Sequence, residues 1–451
     1  MIFWLLTLCL SVFTSFILLK KPYLRETSIG WLLAIWAVPY IGSIVFLTMV
    51  IRRKDKTRQH SAHIKEHYAH NDYLTKPQNI IERVGVNNGF LAYANLEESV
   101  ILRDDEFLTQ LIEQVEQAEK SIWICTYILS GDAKEVLLTR LYEAYERGVE
   151  IYLLVDRIGS GFLFGSKSRK EYLNFPFKTA IFRQSLLQSL LYVEKRLHSK
   201  IAIIDRQTAL IGSHNIRDEI KHDAKGFARN LSLLFTGSVV AQLELVFADL
   251  YQCATNETIL IDNKKSKNSI EQIHCASRII YSDPLALNYQ YCDYLNCLFY
   301  SAQQRLYIWM PYMIPSDILR TSIINAHKTG VDVKVLIPIK SDSMLVDNAH
   351  QLVLNELTDH GVPCAASTGA FDHSKIFIVD NLTMLGSTNL DHRSLYRNYE
   401  ANIEINTKGF ADTMSRIFLQ EFNSAIKIEC THPTTKRMVI NQITSLIASL
   451  Y

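Results

Sequence analysis

Two long runs without a charged side chain open this chain, and a regular alternation of apolar strands with amphipathic helical stretches fills most of the rest. Residues 1–19 (MIFWLLTLCLSVFTSFILL) and 29–51 (IGWLLAIWAVPYIGSIVFLTMVI) are each long enough to cross a hydrocarbon layer of about 30 Å as helices. With residues 20–28 as a short loop, they predict a transmembrane helical hairpin over 1–51. No basic residue precedes the first run and a second follows directly, the pattern of a retained anchor rather than a cleaved leader. The loop carries Lys20, Lys21 and Arg25, whereas Arg52, Arg53, Lys54, Lys56 and Arg58 follow the second run, which turns the remaining chain towards the cytoplasm.

Residues 52–94 begin as a polar, basic linker suited to anionic headgroups, each basic residue contributing on the order of 1 kcal/mol there. His60, His63, His67 and His70 recur at helical spacing within it. That spacing could serve a metal, but no Cys or carboxylate cluster accompanies it, so the stripe reads as facing solvent or headgroups and no metal site is expected.

From residue 95 the same order of elements occurs twice. Residues 106–120 predict an amphipathic helix, 121–129 (SIWICTYIL) a strand, 134–147 a helix and 148–156 (GVEIYLLVD) a strand. Residues 292–304, 305–313 (RLYIWMPYM), 318–328 and 330–338 (GVDVKVLIP) repeat it, which predicts two layered α/β halves over 95–262 and 263–451. A variable segment follows each. SLLQSLLYV (185–193) suits a core helix and a surface loop equally, and 340–363 reads as a loop feeding a helix that stops at Gly361 and Pro363.

The chemistry sits in the most literal part of the repeat. HSKIAIIDRQTALIGSHN (198–215) returns as HSKIFIVDNLTMLGSTN (373–389), 175 residues on, each unit reading as strand, turn, strand. His198 and Lys200, like His373 and Lys375, are two apart and share one side of an extended chain. Asp205 and Asp380 close the apolar stretch, and Gly-Ser-x-Asn follows with Ser213, Asn215, Ser387 and Asn389. Brought together across a two-fold-like interface, these groups suit a tetrahedral phosphoryl group. Lys and Asn donors would hold its oxygens, one imidazole would attack phosphorus, and the other would protonate the leaving alkoxide. Matched polar residues on two buried strand pairs are the alternative, but chance rarely doubles a motif.

Composition narrows this picture. Lys plus Arg (47) nearly balances Asp plus Glu (46), so no global basic field speaks for nucleic acid. Eight cysteines, none in a Cys-x-x-Cys pair, fit reduced thiols in a cytosol-facing body.

The doubled His-x-Lys, four residues, Asp, then Gly-Ser-x-Asn, resembles the phospholipase D superfamily. The hairpin, the basic exit and the run Asn389, Leu390, Asp391, Arg393, Ser394 resemble the bacterial cardiolipin synthases within it. The resemblance implies an α/β fold of two phospholipase D-type α/β/α repeats with pseudo-two-fold symmetry behind the hairpin. It implies a multi-pass protein of the bacterial inner membrane with a cytoplasmic catalytic body. It also implies a transferase that joins two phosphatidylglycerols into cardiolipin and releases glycerol through a phosphohistidine, with no metal or other cofactor. Phosphatidylglycerol and anionic membrane lipids are the implied partners. A hydrolytic phospholipase D using water as acceptor is the alternative, and a superfamily nuclease a more distant one. The implied site has His198, Lys200, Ser213 and Asn215 in one half and His373, Lys375, Ser387 and Asn389 in the other, with His198 as nucleophile. Asp205 and Asp380 are grouped with the catalytic positions, although at the far ends of their strands they read as structural anchors. Glu400, 27 residues beyond His373, fits the acid that fixes that ring's tautomer. Asn230 stands where the acid serving His198 is expected, leaving Asp218, Glu219 or Asp223 as substitutes.

Overall fold

The computed structural model describes residues 2–19, 32, 35–53, 80–162, 167–182, 195–218, 228–261, 274–284 and 290–430. The histidine stripe at 60–70, the 185–193 segment, Glu219 and Asp223 lie outside them. The described residues up to 53 make one compact unit and those from 80 onward another.

In the first unit, helices Ile2–Leu19 and Pro39–Arg53 pack through small polar residues. Thr14 and Ser43 share a hydrogen bond of 3.2 Å, Thr7 and Tyr40 one of 2.8 Å, and the Trp36 indole donates to Ser15 at 3.1 Å. Leu18, Ile35 and Phe46 are buried, while Leu6, Phe13, Phe16, Ile41 and Ile44 point outward. Among the described residues, no helix is long and apolar enough to cross a membrane. The predicted hairpin is thus represented by two helices whose connecting residues lie outside the description.

In the second unit each half builds a sheet. The first-half strands are β2 (Ser99–Arg103), β3 (Ser121–Thr126), β4 (Glu150–Asp156), β5 (Lys178–Phe182), β6 (Ile201–Ile204), β7 (Thr208–Gly212) and β9 (Leu231–Thr236). Their order across the sheet is β2-β9-β7-β6-β3-β4-β5. The second half has β10 (Ala276–Ser282), β11 (Arg305–Trp309), β12 (Asp332–Pro338), β13 (Cys364–Ser367), β15 (Ile376–Val379), β16 (Leu382–Gly386) and β17 (Glu400–Asn406), in the order β10-β17-β16-β15-β11-β12-β13. The two orders correspond strand for strand. The second sheet gains an edge at each side, β1 (Ala94–Asn95) and β18 (Ile426–Ile428), so Ala94 and Asn95 belong structurally to the later half. A two-stranded ladder, β8 (Ala228–Arg229) with β14 (Phe371–Asp372), joins the halves.

The burial follows from the pattern. β3 is buried at every position because the parallel part of the sheet is covered on both faces. Helices Glu106–Gln117 and Gly131–Glu146 cover the outer face of the first sheet, and Gln290–Tyr300 and Asp317–Lys328 that of the second. The inner faces share one core with helices Val240–Thr255 and Lys408–Ser424, in which Trp123 meets Phe247 and Tyr307 stacks on Phe418.

Asp205 and Asp380 do not belong with the catalytic groups. Each opens the turn after its motif strand with φ of 52°, a left-handed conformation that Asp tolerates. The Asp205 carboxylate accepts the backbone N–H groups of Glu119, Lys120 and Ser121, and that of Asp380 those of Gln303, Gln304 and Arg305. They tie the turn to the start of β3 or β11, at the strand ends remote from the His. The Gly of Gly-Ser-x-Asn has a packing reason. A Cβ on Gly212 would lie 2.4 Å from the Ser232 Cα, and one on Gly386 2.5 Å from the Asn402 Cα.

Asp205→Ala strips three N–H groups of their acceptor and is expected to cost about 1–3 kcal/mol. The denaturant midpoint should fall with an unchanged slope; an unchanged midpoint would remove the anchor role.

Candidate active site

Each motif histidine is positioned by the opposite half. Leu197 bridges Tyr399 in parallel, the His198 N–H donates to the Tyr399 carbonyl at 3.0 Å, and the Tyr399 N–H to the Arg196 carbonyl at 2.8 Å. The counterpart is the β14–β8 ladder, where the His373 N–H donates to the Arg229 carbonyl at 2.7 Å. The residue after each acceptor therefore comes alongside the histidine of the other half.

That exchange corrects the expected partners. Glu400 serves His198, with both carboxylate oxygens 2.9 Å from Nδ1, and not His373 from its own half. Asn230 serves His373, its Oδ1 lying 3.1 Å from that ring's Nδ1. His198 thus has a charged orienting partner, and no substitute acid is needed. Asp218 is engaged elsewhere, accepting the N–H groups of Asp132 and Ala133 at the start of helix Gly131–Glu146. With Nδ1–H donating to an oxygen, each neutral ring keeps its lone pair on Nε2.

The serines sit behind these partners and do not face a phosphoryl group. Ser213 Oγ donates to Asn230 Oδ1 at 2.9 Å and Ser387 Oγ to Glu400 Oε2 at 2.5 Å, both serines being fully buried. The two amides that close the motif also differ. Asn215 Oδ1 accepts the Ile128 N–H at 3.2 Å, whereas Asn389 Oδ1 is buried with no hydrogen-bond partner among the described residues.

Lys200 and Lys375 curl back so that each Nζ donates to the carbonyl of its own motif histidine, at 2.6 and 2.8 Å. Both are almost fully buried. Burial brings Lys200 down to about 8 against the opposing pull of Glu400, while burial and then the Lys200 charge push Lys375 well below the usual lysine range. Burial likewise lowers His198 to about 4 although Glu400 opposes it. His373 is pushed well below the ordinary imidazole range, first by burial and then by Lys375, Lys200, His198 and Arg217. Burial works against the Glu400 carboxylate, yet His198 and Lys200 together with the Ser387 hydroxyl hold it below its ordinary value. The four motif groups lie close enough to influence one another, so the two half-sites adjoin, with Glu400 acting on both lysines, Asp156 on Lys200, and Asp391 and Asp342 on Lys375. Two buried lysines and two imidazoles side by side suit an anion.

Sequence reasoning missed the aromatic walls. The Tyr127 ring meets His198 edge-on at 5.2 Å and has Lys200 Nζ 5.5 Å from its centre, and Tyr312 meets His373 at 6.2 Å. The two tyrosines follow the corresponding strands β3 and β11; their place just past a buried central strand was the available signal. Among the described residues no group of three or more His, Cys, Asp or Glu could hold a metal ion.

The unequal partners should be visible in the titrations of the rings. Asn230→Asp adds a negative charge beside His373, which favours imidazolium and should raise its pKa. Glu400→Gln removes that charge from His198 and should lower its pKa further. Nitrogen NMR of histidine-labelled protein reads both; a His198 shift in Asn230→Asp with His373 unmoved would reverse the pairing.

Comparisons with known proteins show the family and the fold. The family model described as "Cardiolipin synthase, PLD-like domain" matches residues 111–231 and 295–422, which include both motifs, Asn230 and Glu400. The chain is 27% identical over 444 residues to cardiolipin synthase A of Yersinia pseudotuberculosis serotype O:1b and to that of Yersinia pestis bv. Antiqua, covering 90% of this chain and 90% of each relative. The crystal structure of phosphatidylserine synthase from Haemophilus influenzae Rd KW20 shares the fold at a TM-score of 0.64 and 14% identity, over 83% of this chain and 100% of that one. With the family model matched over more than half of its length and across both half-sites, the chain belongs to the cardiolipin synthase, PLD-like domain family of phosphatidyltransferase enzymes.

Proposed function

We propose that this enzyme is a cardiolipin synthase, moving a phosphatidyl group from one phosphatidylglycerol to the glycerol hydroxyl of a second and releasing glycerol. The observation that carries the reading is the pairing of two histidines with unequal partners, beside two buried lysines. Lys200 and Lys375 compensate the oxygens of a phosphodiester and the charge that grows in the transition state.

His198 is the nucleophile. Glu400 takes its Nδ1–H, so Nε2 carries the lone pair and the carboxylate stabilises the cation that forms on the ring when phosphorus is attached. His373 works as acid and then base. Backed by an amide, its imidazolium gains no such stabilisation and gives up its proton readily. The negative charge of the bound phosphodiester favours the imidazolium form of His373, which takes up a proton at Nε2 from solvent as substrate enters. In the first step the His198 Nε2–P bond forms and the P–O bond to glycerol breaks, that His373 Nε2 proton going to the alkoxide. In the second, His373 takes the proton of the acceptor hydroxyl as its oxygen displaces His198 from phosphorus.

Two apolar helices and the basic residues after the second support attachment to a bacterial cell membrane, with the catalytic body on the cytoplasmic side and anionic lipids as the surface it meets. The two predicted spans and the inner-membrane location belong to this proposal.

Incubating the full-length protein in vesicles with labelled phosphatidylglycerol should yield cardiolipin and glycerol in equal amounts. Phosphatidic acid as the main product would mean that water is the acceptor and the enzyme a phospholipase D. His198→Ala should lose activity by at least ~1,000-fold. His373→Gln should leave a slowly turned-over phosphatidyl group on the His198 peptide after quenching in alkaline denaturant, which spares the acid-labile N–P bond; label on the 373 peptide of His198→Gln alone would exchange the roles.

A further inference from the structure

A second group of cations flanks the phosphoryl pocket on the first-half side. Asp156 ends β4, Arg157 follows it, Arg169 lies on helix Lys167–Leu173, and Arg196 is two residues ahead of His198. Arg196 is 1% exposed; its Nη2 donates to Asp156, while its Nε and Nη1 are buried without a hydrogen-bond partner among the described residues. The Asp156 carboxylate is already crowded, accepting the N–H groups of Ile158 and Gly159 at 2.9 Å and of Leu197 at 3.1 Å besides Arg196. It has little left to offer the other two donors of the Arg196 fork. Buried guanidinium N–H groups without an acceptor are unfavourable unless an anion joins them. Arg157 and Arg169 extend the same positive field: burial, then Arg169, then Arg196 lower Arg157, and the opposing pull of Asp156 ranks last.

The group adjoins the reacting atoms. The Arg196 carbonyl accepts the Tyr399 N–H in the same crossing that positions His198, and Asp156 is close enough to influence Lys200. Ser160, in the loop after Arg157, donates to the Tyr127 carbonyl at 3.2 Å, and the Tyr127 ring lies against His198.

We propose that Arg196, with Arg157 and Arg169 beside it, forms a second phosphate subsite that holds the phosphate already carried by the acceptor alcohol, an inference that rests on the transferase reading above. In the second step the Nε2–P bond breaks as the acceptor oxygen bonds phosphorus and its proton passes to His373. An acceptor bearing its own phosphate along the glycerol backbone can engage the guanidinium forks while its free hydroxyl reaches phosphorus. Water and free glycerol lack that anion and gain nothing from the subsite, which favours a phosphorylated alcohol over both.

The test gives the full-length enzyme, in mixed micelles with phosphatidylglycerol as donor, equal concentrations of labelled glycerol and labelled glycerol phosphate, and reads the ratio of label entering lipid. That ratio comes from one sample and does not depend on how much of a variant folds. The wild type should favour glycerol phosphate, and Arg157→Gln and Arg169→Gln should each lower the preference about tenfold, with Arg157→Lys and Arg169→Lys retaining more of it. An unchanged ratio in both Gln variants, or a wild type that takes glycerol as readily as glycerol phosphate, would overturn the subsite while leaving the transferase intact. Entry of neither label, with the donor also unconsumed, would sink the transferase reading and the subsite with it.

Discussion

The backbone exchange between the halves is the constraint on which the rest of the site depends. Leu197 and Tyr399 pair on one side, and β14 and β8 on the other, so each half lends a strand to hold the histidine of its neighbour. The main-chain bonds set the positions of the rings, and the side chain one residue further on sets their tautomers. A single half would carry a His-x-Lys with neither of these partners at Nδ1. Each histidine therefore finds its Nδ1 partner only in the other copy.

Burial gives the exchanged pairs their electrostatic weight. Two buried lysines and two buried histidines influence one another, with Glu400 acting on both lysines, Asp156 on Lys200, and Asp391 and Asp342 on Lys375, and desolvation lowers all four groups. An anion joining these groups would favour their protonated forms. The presence of Asn230 in place of an acid makes the two histidines different in kind. Behind Asn230, a small cavity is lined by Asp104 and Asp372 together with Arg103 and Arg229, and the Asn230 N–H donates to Asp104. Negative charge is thus present near His373 but not at its Nδ1.

Much of this was readable in the amino-acid order. The helices expected at 106–120 and 318–328 occur at Glu106–Gln117 and Asp317–Lys328, and the strands expected at 148–156 and 330–338 at Glu150–Asp156 and Asp332–Pro338. The ends moved by a few residues because capping and turn geometry, rather than apolar period, decide where an element stops. The motif singled out His198, Lys200, His373 and Lys375, which the fold sets close to one another. Its remaining letters hold other places: the acids bind the backbone at the turns, as their position at the strand ends suggested, while the serines hydrogen-bond Asn230 and Glu400. Such roles depend on which backbone or side chain lies opposite, which spacing along one chain does not express. The tyrosine walls and the Arg196–Asp156 pair escaped for the same reason.

By itself, then, the amino-acid sequence determined the repeated α/β halves, the family and the four motif cations, because hydrophobic period and local motif spacing are properties of neighbouring residues. Only the tertiary structure decided that Glu400 orients His198 and Asn230 orients His373. Those contacts join residues 202 and 143 positions apart, and they exist because the halves cross strands rather than merely stack. The inequality of the two histidines, written in the sequence as one Asn in place of one acid, acquires its direction from that crossing.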